Sequence, residues 1–191
     1  MNKEIEAKFF INDKEKLRSM LLNIGFSLIK KEFMMKRKTF NCNHSGEWIR
    51  VRDEGDKITM TYKNIINNTI QGVNEIEIVV NDFNKASDLI NQTNFKETSY
   101  QENFREIWRN NECEVVIDTW PYLQNYIEIE ASKEDIVKKY SELLGFNFDK
   151  EAYFGGVETL YNKQFGISKE DFCKIDKITF DDEKLKAILK I

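Results

Sequence analysis

Residues 4–10 read Glu4-Ile5-Glu6-Ala7-Lys8-Phe9-Phe10, and the reading of this alternation decides the fold. Successive side chains of a β-strand point to opposite faces, so Glu4, Glu6 and Lys8 share one face while Ile5, Ala7 and Phe9 share the other. The pattern spans residues 3–11 and returns at 47–53, 57–63, 73–80, 113–119 and 126–131. Longer strand-type runs fill about 27–42 and 99–110. Turn-forming residues separate several of them: Asn43-His44-Ser45-Gly46, Glu54-Gly55-Asp56 and Asn110-Asn111. Helical spacing appears at about 14–24, at 82–92 after Asp82, at 132–144 with Ser132 as a cap and Gly145 beyond, at 152–164, and from Asp181 to Ile191.

The polar faces are sorted by sign. Arg50 and Arg52 oppose Ile49 and Val51, and Thr59, Thr61 and Lys63 oppose Ile58, Met60 and Tyr62. Carboxylates occupy the corresponding face elsewhere: Glu75 and Glu77, Glu114 and Asp118, Glu128 and Glu130. Solvated faces gain little from such sorting, because exposed ion pairs contribute only about 0–1 kcal/mol each. The expectation is therefore an α+β domain: an eight-stranded closed antiparallel β-barrel, or tunnel, with a charged interior and flanking helices. Clustered carboxylates call for a hard divalent cation such as Mg²⁺ or Mn²⁺, and clustered Lys and Arg call for phosphate.

Other chemistry is excluded by what 191 residues lack. His44 is the single histidine, so histidine triads and histidine-rich metal sites are absent. Neither a Gly-x-x-x-x-Gly-Lys-Ser/Thr loop nor a Gly-x-Gly-x-x-Gly turn occurs. Cys42, Cys113 and Cys173 are too scattered for a zinc site and fit a reducing compartment. A net charge of −4 argues against general nucleic-acid binding. The charged N-terminus and the lack of a long apolar run predict a cytoplasmic protein with no membrane association.

The motifs together resemble the CYTH, or triphosphate tunnel metalloenzyme, superfamily, in particular its bacterial class IV adenylate cyclase-like branch. Glu4-Ile-Glu-Ala-Lys8 matches the Glu-x-Glu-x-Lys signature, followed in order by Trp48-Ile-Arg-Val-Arg52, Thr59-Met-Thr-Tyr-Lys63, Glu75-Ile-Glu77, Arg105, Asp118 and Tyr126-Ile-Glu-Ile-Glu130. The resemblance covers residues 1–165 as one tunnel domain and leaves 166–191 as a C-terminal extension with a short terminal helix. It implies metal coordination by Glu4, Glu6, Glu128 and Glu130, supported by Asp118, Glu75 and Glu77. It further implies phosphate binding by Lys8, Arg50, Arg52, Lys63 and Arg105. Lys8, Glu4 and Glu6 are the implied catalytic set. Two departures stand out: Asn74 replaces an arginine before Glu75, and Asn103 replaces a lysine before Arg105. Lys36, Arg37 and Lys38 are possible replacements; period two lets Lys36 and Lys38 share a face, and Lys38 is taken as a substrate ligand.

The expected function is hydrolysis of a small-molecule triphosphate, whether inorganic, nucleoside or thiamine triphosphate. Cyclisation of ATP to cyclic AMP and pyrophosphate is the alternative. A non-catalytic nucleotide or polyphosphate sensor is a third reading, and a carrier barrel with an apolar interior a fourth. Trp48, Trp108, Trp120 and Tyr126 are either stacking surfaces for a base or packing residues. Family precedent also allows a homodimer.

Overall fold

The computed structural model describes residues 5–41, 46–65 and 73–191. Glu4, Cys42 and His44 lie outside them, as does the side chain of Asn74. The long strands are β1 (Ile5–Phe10), β2 (Ser27–Asn41), β3 (Glu47–Asp53), β4 (Ile58–Ile65), β5 (Val73–Val80), β6 (Lys96–Arg109), β7 (Cys113–Thr119) and β8 (Tyr126–Ala131). Helix α1 (Lys14–Asn23) follows β1, α2 (Phe83–Asn91) follows β5, and α3 (Glu134–Leu143) follows β8. The chain ends with α4 (Phe148–Glu151), α5 (Glu158–Phe165), α6 (Lys169–Phe172), a short β9 (Lys177–Ile178) and α7 (Glu183–Leu189).

The eight expected strands form one sheet in the order β1-β8-β7-β6-β2-β3-β4-β5, with every ladder between them antiparallel. The α+β class is therefore as expected, but closure is not found. Among the described residues no ladder joins β5 to β1. The outer edge of β1 is used otherwise: Lys8 N donates to Tyr153 O and Tyr153 N donates to Lys8 O, both at 2.9 Å. The segment before α5 thus satisfies backbone groups that a closing strand would have taken.

One face of the sheet is apolar and carries the helices. Phe9, Val115, Ile117, Ile127 and Ile129 are fully buried against Leu17 and Leu21 of α1 and Val137 and Tyr140 of α3. Helix α2 buries Ala86 and Ile90 against Phe40 and Val51. Asp13 and Asp82 cap α1 and α2 by accepting from Lys16 N and Lys85 N. The cap expected at Ser132 falls instead on Lys133, which makes no side-chain capping bond. The helix expected over 152–164 begins at Glu158, because Tyr153 is extended against β1. Where β3 turns into β4, Gly55 adopts φ of +84°, a conformation that costs glycine little.

The C-terminal residues pack as part of the same body. Strand β9 pairs parallel to β6 at Tyr100 and Gln101, beyond the stretch of β6 that pairs with β7. Phe172, Ile175, Ile178, Leu185 and Leu189 bury with Trp120, Leu123, Tyr126, Leu160 and Tyr161 in one cluster. Leu185 has no exposed surface, so Leu185→Ala should lower stability by about 2–5 kcal/mol through lost contact and a residual cavity. A fall in the urea midpoint, followed by tryptophan fluorescence, checks this.

Candidate active site

The other face of the sheet is polar from one edge to the other. Register places Glu6 opposite Glu130, and Lys8 opposite Glu128. It likewise places Asp118 opposite Arg105, Arg37 opposite Arg52, Arg50 opposite Thr61, and Lys63 opposite Glu75. This continuity follows from the period of two, since antiparallel neighbours directly across a ladder face the same way.

At the centre lies Asp118, fully buried. Arg105 donates to both of its oxygens, Nε to Oδ1 at 2.8 Å and a terminal nitrogen to Oδ2 at 2.6 Å. Asn103 Nδ2 donates to Oδ1 at 3.2 Å, and the Tyr126 hydroxyl donates to Oδ2 at 3.1 Å. Arg105 reaches further to Glu128 Oε2 at 3.0 Å. Burial works against the Arg105 charge, but Asp118 and Glu128 outweigh it and hold the guanidinium well above its usual range.

Lys8, almost wholly buried, sits between two carboxylates: its Nζ is 2.6 Å from Glu6 Oε1 and 2.8 Å from Glu128 Oε1. Burial disfavours its charge, yet Glu128 and Glu6 hold it above the usual lysine range. Glu6 and Glu128 split in opposite directions. Burial, then Glu128, pushes Glu6 up to about 7 against the pull of Lys8. Burial would raise Glu128 too, but Lys8 and Arg105 overcome it and keep that carboxylate well below the usual range.

On β3 to β5 the cations are held more loosely. Arg50 donates to Thr61 Oγ1 at 3.5 Å and lies 3.8 Å from Glu77, whose Oε2 accepts from Thr61 at 2.8 Å. Arg52 pairs with Glu54 at 2.6 Å and stands 3.9 Å from Glu77. Lys63 pairs with Glu75 at 2.6 Å. Among the described residues, the buried Nε atoms of Arg37, Arg50 and Arg52 have no hydrogen-bond partner. Burial, then repulsion from Arg52, pushes Arg50 down to about 10. Buried N–H donors without partners, on like-charged neighbours, carry a desolvation cost.

Most of the residues named from the sequence therefore meet on one face: Glu6, Lys8, Arg50, Arg52, Lys63, Glu75, Glu77, Arg105, Asp118, Glu128 and Glu130. Glu4 lies outside the described residues. Lys38 does not belong there, which corrects the expectation. It lies opposite Val51 and Tyr100, pairs with Glu97 at 3.0 Å, and reaches towards the Phe83 ring. The residue that turns in is Arg37, which donates to Asn103 Oδ1 and lies over the Trp120 ring with 4.7 Å between guanidinium carbon and ring centre. Sequence could not choose between them because Lys36-Arg37-Lys38 places a cation on both faces. Among the aromatics, Trp108 is in the apolar core with its Nε1 bonded to Glu106. Trp48 lies on the polar face opposite Lys63.

The acidic groups suit a hard divalent cation in kind, since all their donors are oxygens. They divide between the β1/β8 edge (Glu6, Glu128, Glu130) and β5 (Glu75, Glu77), while Asp118 is saturated by Arg105, Asn103 and Tyr126. Among the described residues no three acidic side chains gather closely enough to hold a metal. The fit rests on Glu6 and Glu128, which crowd each other and would both be stabilised by a second cation, with Glu130 on the same face.

Fold and site together define an antiparallel sheet flanked by helices, with a row of largely enclosed cations and flanking carboxylates on its polar face. The chain belongs to the CYTH domain family, whose model matches residues 2–151. A candidate adenylate cyclase of Methanocaldococcus jannaschii is 32% identical over 142 residues, covering 71% of this chain and 81% of that one. A Pyrococcus horikoshii protein of known structure superposes with a TM-score of 0.70 at 21% identity, over 82% of this chain and 99% of that one. A Hippeastrum adenylyl cyclase candidate, described as revealing a dominant triphosphatase activity, superposes with a TM-score of 0.52 at 17% identity, over 86% and 97% of the two chains. At these identities the two structural likenesses bear on the fold.

Removing the Asp118 charge would leave Arg105 buried beside one remaining carboxylate, so Asp118→Asn should cost about 3–5 kcal/mol of stability. Tyr126→Phe removes one hydrogen bond and should cost about 1 kcal/mol. Urea unfolding of both variants measures the difference.

Proposed function

We propose that this chain is a divalent-metal-dependent triphosphatase that binds the phosphate chain of a small molecule on the polar face of the sheet. The observation that carries the reading is that the guanidiniums of Arg37, Arg50 and Arg52 have buried Nε donors with no partner among the described residues. Phosphate oxygens supply acceptors for such donors, and arginine binds them in paired fashion. The activity described for the Hippeastrum relative points the same way.

In this reading Arg50, Arg52, Lys63 and Arg105 neutralise the phosphate oxygens and align the chain for in-line attack. Glu6, Glu128 and Glu130, with Glu4 one repeat earlier, would hold Mg²⁺ or Mn²⁺. A bound divalent cation supplies charge stabilisation at phosphoryl oxygens and eases deprotonation of water. Lys8 is held protonated by its two carboxylates, so its part is to contribute charge and position Glu6 and Glu128 rather than to accept a proton. Glu75 and Glu77 set the spacing of Lys63, Arg50 and Arg52. Asp118 orients Arg105 rather than coordinating the metal itself. Water attacks the terminal phosphorus and loses a proton, the bond to the bridging oxygen breaks, and the remaining diphosphate departs as leaving group, giving inorganic phosphate.

The name of the Methanocaldococcus relative favours a second reading, in which a ribose 3′-hydroxyl attacks the α-phosphorus and pyrophosphate departs. The two differ in nucleophile, not in how the phosphates are held. Trp48, on the polar face, is the described aromatic placed to meet a base.

Phosphate release from inorganic triphosphate, ATP and thiamine triphosphate should require Mg²⁺ or Mn²⁺ and fall at least about 100-fold in Glu6→Gln, more than the loss typical of residues behind a metal ligand. Cyclic AMP formation without phosphate release would favour the cyclase. Because Glu6 is raised to about 7 without metal, and metal binding needs the ionised form, apparent metal affinity should climb with pH up to about 7 and level off above it. A pH-independent affinity between 5 and 8, measured by calorimetry, removes Glu6 from the metal site.

A further inference from the structure

We infer that Arg37 binds the substrate's phosphate chain, supplying from β2 the cation that residue 103 lacks. The inference rests on the triphosphate reading above and adds a ligand that the family motifs do not include.

Arg37 is only 9% exposed, yet among the described residues no carboxylate lies within ion-pair distance of it. Every other cation on the face has one: Lys8 has Glu6 and Glu128, Arg105 has Asp118, Arg52 has Glu54, Lys63 has Glu75, and Arg50 has Glu77 at the limit. The neighbours of Arg37 make matters worse. Burial, then Arg50, Arg52 and Arg105, depresses its guanidinium to about 9, with Asp118 the main opposing influence. A buried charge without a counter-ion is strongly destabilising unless something of opposite sign joins it.

The side chain is nonetheless held in place. Asn103 Nδ2 donates to Asp118, which turns its oxygen towards Arg37, and that oxygen accepts from a terminal nitrogen of Arg37. The Trp120 ring supports the guanidinium plane. The Nε remains without a partner. A lysine at 103 would place a cation against Arg37, whereas asparagine offers it an acceptor, so Asn103 and Arg37 are complementary. Register sets Arg37 beside Arg52 on β3 and, through β6, on the strand next to Arg105. It links the arginines of β3 to Arg105, and a phosphate chain spanning both groups passes it.

The test is titration of inorganic triphosphate with Mg²⁺ into wild type, Arg37→Gln, Arg37→Lys and the double variant Arg37→Gln/Asn103→Lys, with urea midpoints measured with and without ligand. Arg37→Gln should weaken Kd and raise KM about 10- to 100-fold, the range for losing a charged hydrogen bond. Its ligand-free midpoint should not fall, because an uncompensated charge has been removed, but the ligand-induced rise should shrink. Arg37→Lys and the double variant should recover part of the affinity. An unchanged Kd in Arg37→Gln overturns the inference while leaving the triphosphatase reading intact. So does weakened binding accompanied by a lower ligand-free midpoint and no recovery in either rescue variant, which marks a structural arginine. A wild type that binds no triphosphate defeats both readings.

Discussion

Four guanidiniums, those of Arg37, Arg50, Arg52 and Arg105, occupy one largely buried face of a β-sheet, where their mutual repulsion and desolvation both oppose folding. Asp118 makes the arrangement tolerable at its centre by accepting two bonds from Arg105 and orienting Asn103, which in turn holds Arg37. The compensation is deliberately incomplete in its geometry: it fixes side chains through some donors and leaves the Nε donors of three arginines open. In the proposed reading, a polyanion would meet these donors with both acceptors and opposite charge. If the proposed phosphate site is correct, the same residues set stability and binding, and a bound polyanion would offset part of that cost.

The carboxylates fall into two kinds once their partners are counted. Asp118, Glu75 and Glu77 are engaged by cations or hydroxyl groups and serve to place arginine and lysine side chains. Glu6 and Glu128 instead face each other across Lys8, and their titration separates because Glu128 also has Arg105. A single ammonium between two carboxylates leaves the more exposed Glu6 under-compensated. In the metal-dependent reading, a divalent ion would sit at this residual negative potential, at the edge of the cation row.

Period-two alternation made β1, β3, β4, β5, β7 and β8 legible, along with the sign of every charge they contribute, because a regular strand leaves no freedom in which face a residue takes. Strand β2 was only partly legible. Its ladder with β6 shifts register between Leu28 and Lys30, between Lys30 and Phe33, and between Thr39 and Phe40, so counting from either end does not fix the face of Lys36-Arg37-Lys38. Closure was not legible either. Alternation states that two faces differ but not what meets the edge of the sheet, and the backbone of Tyr153 has no pattern that announces its pairing with Lys8. Asn103 read as a lost cation; only its contacts with Arg37 and Asp118 give it a positive role.

The residues beyond the CYTH match, from 152 onward, bear on the site through the aromatic side chains they bury. Trp120 and Tyr126 share a cluster with Leu160, Tyr161, Ile178 and Leu185, and the same two rings touch Arg37 and Asp118. Tyr161 adds a hydrogen bond to Pro121 O at 2.6 Å, tying α5 to the turn that carries Trp120. A side chain in a packed interior resists displacement because its neighbours have nowhere to go. The guanidinium of Arg37, which has no carboxylate partner among the described residues, is thus kept in position by a ring packed against the C-terminal helices. At Arg37, rigid support from the packed ring takes the place that a paired carboxylate takes at Arg52, Lys63 and Arg105.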